Sequence, residues 1–363
     1  MAAWPAHRRG PAAVDGADGR VTVTATAYVR ATRRRLARGW QRSRYLTAMP
    51  QFVRADPIPM RAELPDGDWR CERLLRTVSD VRVYIMRAGH GETGVLKVAD
   101  TASSVPGLRR EHDVLTQLGS DGQLGDWRAV LPVLLAAGDV GASAYLFTSR
   151  LPGRDGRQLA PEEMARLTSA AIQAISPLYR RTRRTCVVDD ALLGQLVDEP
   201  AELIKTALPC DDVVNRLTRA LHSDLAGRTV TLGMTHGDFS PGNILVGDDG
   251  RVTGIVDWGD AREHDLPVLD IAFWLLTVPV HGRTPEFGRQ IADRLDRELP
   301  WTPSERLALG SVADDDLADG RTLLLLAWLR HVASNLGKSD RYAESPVWSR
   351  RTIVPVLRQV ARG

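Results

Sequence analysis

The sequence predicts an α+β chain of two lobes, a small antiparallel sheet followed by a larger, mostly helical part. Three observations carry this. The 363 residues exceed the usual length of one compact domain, so two bodies are the first expectation. Between Arg70 and Thr148, short apolar and β-branched runs are separated by Gly, Asp and Ser turns. Beyond Pro152 the apolar residues recur at helical spacing, interrupted by one short strand pair.

Taken in order, residues 1–60 are a basic extension, 61–150 the sheet lobe and 151–363 the helical lobe. Residues 1–61 hold 12 Arg against three acids, a net charge of +9 where the whole chain carries only +3. Tyr28 to Leu46 has the pattern of one basic helix, and Pro50, Pro57, Pro59 and Pro65 break the chain after it. This head reads as a loosely docked tail, as an interaction arm, or as the result of an early start, with Met49 and Met60 as later ones. Arg70–Thr77, Val81–Arg87 and Thr93–Val98 then form an antiparallel meander, followed by a helix over Leu108–Leu118. Strands Leu131–Ala137 and Ser143–Thr148, around the turn Gly138-Asp139-Val140-Gly141, complete the sheet. Helices are expected over Pro161–Tyr179, Asp190–Lys205, Asp212–Leu225, Leu266–Leu276, Pro285–Leu299 and Leu317–Ser334. The strand pair Ile244–Val246 and Val252–Val256 lies among them.

Composition narrows the function classes. A hydrophobic share of 43% and a charged share of 26% are those of an ordinary soluble globular protein. The three cysteines are widely spaced and give no disulfide framework, so a reducing cytoplasm is the expected setting. The longest apolar stretch, Leu266 to Val280, is interrupted by Asp270 and too short to span a bilayer, so no membrane is expected. Positive charge is concentrated in the head, and no nucleic-acid partner is expected. Of 48 basic residues 45 are Arg; the only lysines are Lys97, Lys205 and Lys338. A lysine that persists inside an apolar strand then needs a reason, which singles out Lys97 in Val95-Leu96-Lys97-Val98.

The chemistry concentrates in Thr235-His236-Gly237-Asp238-Phe239-Ser240-Pro241-Gly242-Asn243, with the spacing H-x-D-x-x-x-x-N. Fourteen residues after Asn243 comes Asp257-Trp258-Gly259, placed just behind the predicted hairpin. Phosphoryl transfer from ATP needs an Asp at the attacking hydroxyl and oxygen ligands that hold magnesium on the phosphates. A loop followed by a hairpin brings such groups together. At average residue usage this combination arises by chance on the order of 10⁻⁵ per chain.

His236 to Val246 and Ile255 to Ala261 resemble the two signature blocks of the aminoglycoside phosphotransferase-like kinases, a superfamily that includes choline, ethanolamine and homoserine kinases. The resemblance covers roughly residues 70–280 and implies a protein-kinase-like bilobal fold. It also implies an ATP- or GTP-dependent, magnesium-dependent transfer to the hydroxyl of a small molecule: an aminoglycoside-type antibiotic, an amino alcohol or a sugar-like acceptor. By it, Asp238 is the catalytic base or hydroxyl-orienting residue, Asn243 and Asp257 are the magnesium ligands, and His236 and Asp270 support the loop. Lys97 contacts the α- and β-phosphates and pairs with Glu111. Phe147-Thr148-Ser149-Arg150 is the hinge, with Thr148 and Arg150 beside the adenine. The turn Arg76-Thr77-Val78-Ser79-Asp80 has no glycine, unlike the nucleotide loop of protein kinases; Ser79 either donates to a phosphate or is an ordinary turn residue. Asp260 and His264 lie near the metal segment or cap the next helix.

The acceptor pocket is expected from residues 154–230 and the region after 281, with Asp189-Asp190, Asp314-Asp315-Asp316 and Asp319 as candidate acids. The competing readings are an inactive nucleotide-binding pseudokinase or regulatory module, a protein kinase, and a nucleic-acid binder acting through the head. The first is opposed by the presence of every expected catalytic position, and the last leaves the catalytic blocks unexplained.

Overall fold

Val, Ile, Leu and aromatic runs between the turn residues form five strands in the computed structural model, which describes residues 64–75, 77, 80–278, 286–312 and 320–362. They are β1 (Arg70–Leu75), β2 (Val81–Arg87), β3 (Thr93–Ala99), β4 (Leu134–Val140) and β5 (Ser143–Ser149). Every neighbouring pair is antiparallel, in the order β1-β2-β3-β5-β4. The sheet therefore has the five strands that its sequence pattern predicts. In β3 the pleat sends Leu96 and Val98 into one buried face and Lys97 to the other. Leu96 and Val98 join Tyr84, Met86, Tyr145 and Phe147 in a satellite apolar cluster, and the Trp69 ring meets Phe147 edge-on at 4.8 Å. The face that carries Lys97 is the one α1 (Val105–Ser120) covers. Leu108, Glu111, Leu115 and Leu118 recur on the inner side of that helix, so Glu111 is a carboxylate on an apolar stripe.

β4 starts and ends later than expected. Gly122–Val130 forms 3₁₀ turns opened by the Asp121 carboxylate, which accepts from the Gln123 amide, and this delays the strand. β4 then runs through Asp139 and Val140, which pair with Ala144 and Ser143. The reversal falls at Gly141, whose φ of 63° fits a two-residue hairpin loop.

The larger lobe is mostly helical: α2 (Pro161–Thr182), α3 (Asp190–Leu193), α4 (Glu199–Ala207), α5 (Asp211–Leu225), α6 (Pro267–Thr277), α7 (Phe287–Leu295), α8 (Pro303–Gly310), α9 (Arg321–Lys338), α10 (Asp340–Ala343), α11 (Pro346–Thr352) and α12 (Val354–Arg362). The single helix expected over Asp190–Lys205 is split by a π turn at Gly194–Asp198, where Pro200 cannot donate to the preceding turn. Four strands escape the sequence pattern. β6 (Arg154–Asp155) adds to the hairpin β9 (Ile244–Val246) and β10 (Val252–Ile255). β7 (Arg184–Val187), β8 (Thr229–Thr235) and β11 (Arg262–Asp265) make a second three-stranded sheet in the order β11-β8-β7. β8 is buried from Val230 to Thr235 on both faces, so it lacks the alternation that marks a half-buried strand. It is the strand that delivers the chain to His236. No described helix is long and apolar enough to cross a membrane. The basic head, residues 1–60, lies outside the described residues.

Candidate active site

β8 ends at Thr235, and the next two residues turn under a buried carboxylate. Asp270, on α6, accepts from the His236 amide (2.6 Å), the Gly237 amide (3.1 Å) and the Tyr179 hydroxyl (3.0 Å). Arg330 of α9 donates to it at 2.7 Å and to Asp265 at 2.9 Å. Burial works against charge on the Arg330 guanidinium, but Asp270 and Asp265 more than offset it and hold it protonated. A fully buried carboxylate of this kind is tolerable only with such a set of donors. Gly237 adopts φ 82° and passes so close to the Asp260 carbonyl that a Cβ would overlap it, so only glycine fits.

The rest of the loop is set by side chain to backbone bonds. The fully buried His236 ring donates from Nε2 to the Val256 carbonyl at 3.0 Å and accepts the Asp238 amide on Nδ1 at 3.3 Å. Its ring packs against Trp258, with centroids 4.6 Å apart. Asn243 Nδ2 donates to the Asp238 carbonyl at 2.8 Å and to its Oδ2 at 3.3 Å, leaving its own Oδ1 as an open acceptor. The Val256 amide donates to the Asn243 carbonyl at 2.9 Å, which brings Asp257 beside Asn243. Asp257 has φ 70°, a left-handed conformation that a non-glycine residue holds only when its surroundings impose it. Burial raises the Asp238 carboxyl above its usual range; Lys338 opposes this, while Asp260 and Asp257 add to it.

From the sheet side, Lys97 Nζ reaches into the same place. It lies 2.7 Å and 2.8 Å from the Glu111 carboxylate oxygens and 2.8 Å from Asp257 Oδ1. The desolvation cost of burial is outweighed by Asp257 and Glu111, so the ammonium is held charged well above the usual lysine range. Lys97 likewise draws Asp257 well below the usual carboxylate range. Burial pushes Glu111 up despite Lys97, and the Trp258 amide also donates to it. Arg110 donates to the Gly259 carbonyl at 2.9 Å, a second tie between α1 and the 257–259 segment.

Lys97, Glu111, His236, Asp238, Asn243, Asp257 and Asp270 thus belong to one connected set. Thr148 and Arg150 sit apart, at the end of β5. Thr148 is buried in the strand, and the amides of Ser149 and Arg150 are donated to the Val133 and Thr93 carbonyls at 2.8 Å and 3.3 Å. Ser79 lies outside the described residues, as do Asp314 to Asp316 and Asp319. Asp189 caps α3 by accepting from the Leu192 amide at 2.9 Å. Asp260 caps no helix; it accepts from Ser334 at 3.0 Å and pairs with Lys338. Sequence reading missed Arg330, Tyr179, Asp265 and Lys338. An arginine inside the apolar run Leu323–Val332 was the available signal, since a buried cation needs a buried acid.

The profile of the phosphotransferase enzyme family matches residues 73–309, well over half of the chain. The chain belongs to that family. No curated protein matches this phosphotransferase in sequence. Among solved structures it is similar to a thermostable variant of the aminoglycoside phosphotransferase APH(4)-Ia, in a ternary complex with AMP-PNP and hygromycin B. The identity is 16%, over 81% of this chain and 96% of that one, with a TM-score of 0.53. A second variant of that enzyme, in complex with ADP and hygromycin B, matches at 16% identity over 79% and 92% of the two chains, with a TM-score of 0.52. These likenesses bear on the fold: an antiparallel-sheet lobe joined to a mostly helical one, as in aminoglycoside phosphotransferase-like kinases.

Proposed function

We propose that this phosphotransferase moves the terminal phosphoryl group of ATP or GTP, with magnesium, to a hydroxyl group of a small molecule. The observation that carries the reading is the Lys97 ammonium bridging Glu111 and Asp257, with Asp257 beside the Asp238–Asn243 pair. The donor set fits magnesium. Among the described residues no group of three or more His, Cys, Asp or Glu is arranged to hold a metal. Two oxygen donors, from Asp257 and Asn243, suit a hard cation that takes its remaining ligands from phosphates and water. Bound there, magnesium would neutralise charge on the phosphate oxygens.

The residues divide the work. Lys97 binds the α- and β-phosphates and Glu111 aims it, because a buried lysine without a carboxylate partner would lose its charge. Asp238 accepts the proton of the acceptor hydroxyl, and a carboxyl raised by burial is better matched to that task than an exposed one. As the acceptor oxygen bonds to phosphorus, the bond from phosphorus to the bridging oxygen breaks and its electron pair leaves with the nucleoside diphosphate. His236, Gly237 and Asp270 keep the loop in place. Adenine would lie at the Phe147–Arg150 edge beside Thr148 and Arg150, read by carbonyl oxygens, since the Ser149 and Arg150 amides are already engaged. Residues 61–150 would hold the nucleotide and 151–363 the catalytic loop and acceptor pocket. A cytoplasmic setting goes with this reading, since ATP is supplied there.

The acceptor classes to test are aminoglycosides, other antibiotics, amino alcohols and sugars. A nucleotide-consumption screen with magnesium should find one that gains a single phosphoryl group by mass. Nucleotide binding without transfer to any of them, or to water, would instead favour a pseudokinase.

A further inference from the structure

In a chain with 45 Arg, each lysine invites the question of what an arginine would not do there. Lys205 pairs on the surface of α4 with Glu202 and Asn215. Lys338 is different. It ends α9, outside the residues 73–309 that the family profile matches. Its ammonium pairs with Asp260 and lies 3.8 Å from Asp238 Oδ2. Asp260 is itself fixed by Ser334, one turn earlier on α9, at 3.0 Å.

Position and charge agree. The field of Lys338 acts on Asp260, Asp238 and Asp257 together, so the ammonium stands among the metal-segment and catalytic-loop carboxylates. A third of its side chain stays exposed. The residues just after it join the small lobe: Arg341 Nε meets Asp80 Oδ1 at 2.9 Å, at the turn between β1 and β2. The segment 338–341 therefore touches the catalytic loop at one end and the nucleotide-side turn at the other. A phosphoryl group crossing that gap spreads negative charge over three oxygens. Three carboxylates repel it there, and Lys97 is already paired with Glu111 and with Asp257, one of the three. A compact ammonium can turn its three donors freely among closely spaced carboxylates, whereas a planar guanidinium is held to its fork geometry.

We propose that Lys338 is a catalytic residue whose ammonium binds the γ-phosphoryl oxygens of the nucleotide, with Asp260 and Ser334 as the residues that position it. The inference rests on the kinase reading above. Lys338 exchanges no proton in the step: the hydroxyl proton goes to Asp238, and the electron pair of the broken bond leaves with the diphosphate.

The test is calorimetry of the full chain with magnesium and either ADP or AMP-PNP, and it needs no acceptor. In Lys338→Met the affinity for AMP-PNP should fall roughly 10- to 100-fold, as for loss of one charged hydrogen bond, while that for ADP stays within about twofold. Lys338→Arg should recover part of the loss, and Lys205→Met should match the parent. Equal losses for both nucleotides, or none, would overturn the proposal, since a merely structural lysine cannot tell ADP from AMP-PNP. If Lys338→Met fails to fold by circular dichroism, Lys338→Arg and Lys338→Gln decide by the same ratio. A parent chain that binds neither nucleotide overturns the kinase reading as well, and is distinguishable because every variant is then silent.

Discussion

Lys97 Nζ lies 2.8 Å from Asp257 Oδ1 across 160 positions of sequence, so one ammonium ties the sheet lobe to the segment behind the loop from His236 to Asn243. Lys97→Arg keeps the charge but replaces a compact donor with a planar fork that cannot serve Glu111 and Asp257 in the same way. Turnover should fall at least ~10-fold and nucleotide affinity should weaken, both read from steady-state rates and calorimetry on a verified acceptor. Parental values in both would remove Lys97 from the phosphate site.

The two aspartates should fail differently. Asp257→Asn should weaken magnesium-nucleotide binding and turnover together. Asp238→Asn keeps the shape but cannot take a proton, so nucleotide binding should survive while turnover falls by at least ~10². Normal turnover by Asp238→Asn would sink the mechanism.

Arg330→Met leaves two buried carboxylates, Asp265 and Asp270, without their cation. Breaking such a pair from one side should cost roughly 3 kcal/mol or more in urea unfolding. Activity should fall too, because Asp270 holds the His236 and Gly237 amides. A stability loss below about 0.5 kcal/mol would show that the network is not needed.

Acid should destabilise the fold through His331, whose ring packs between Phe273 and Phe287. Burial, with Lys338 adding to it, pushes this imidazole down to about 3. The unfolded chain, with an ordinary imidazole near 6.5, binds the extra proton first. Stability from keeping the ring neutral is therefore complete above that value and is lost as pH falls from about 6.5 towards 3, by roughly 1 kcal/mol per unit. His331→Gln should flatten the slope of denaturation midpoints between pH 7 and pH 5; an unchanged slope would place the acid sensitivity elsewhere.

The five strands were legible as short apolar and β-branched runs set off by turn residues, and α1 as an apolar stripe at helical spacing. In β3 the alternation around Lys97 is visible in four letters, and in α1 the stripe Leu108, Leu115, Leu118 carries Glu111 with it. β8 was not legible: it is buried on both faces, as β5 is, but its partners β7 and β11 lie far off in sequence, whereas β5 meets β4 across a tight turn. β6, β7 and β11, two to four residues each, are too short for any period to show. The break between α3 and α4 follows from Pro200, but where the helix yields depends on what packs against it.

By itself the sequence determined the loop from Asp238 to Asn243. Asp238 and Asn243 are five residues apart, and a short loop leaves groups at that separation little choice but to meet. The partners of Asp270 were decided only by the tertiary structure. Arg330 lies 60 positions from it and 65 from Asp265, and the three converge because α6 and α9 pack together. The same holds for Lys338, which local pattern marks as the polar end of a helix and which the approach of α9 to the loop sets beside Asp238. Local periodicity records which face of an element is buried. Which charges that burial brings within reach of one another depends on how the elements dock.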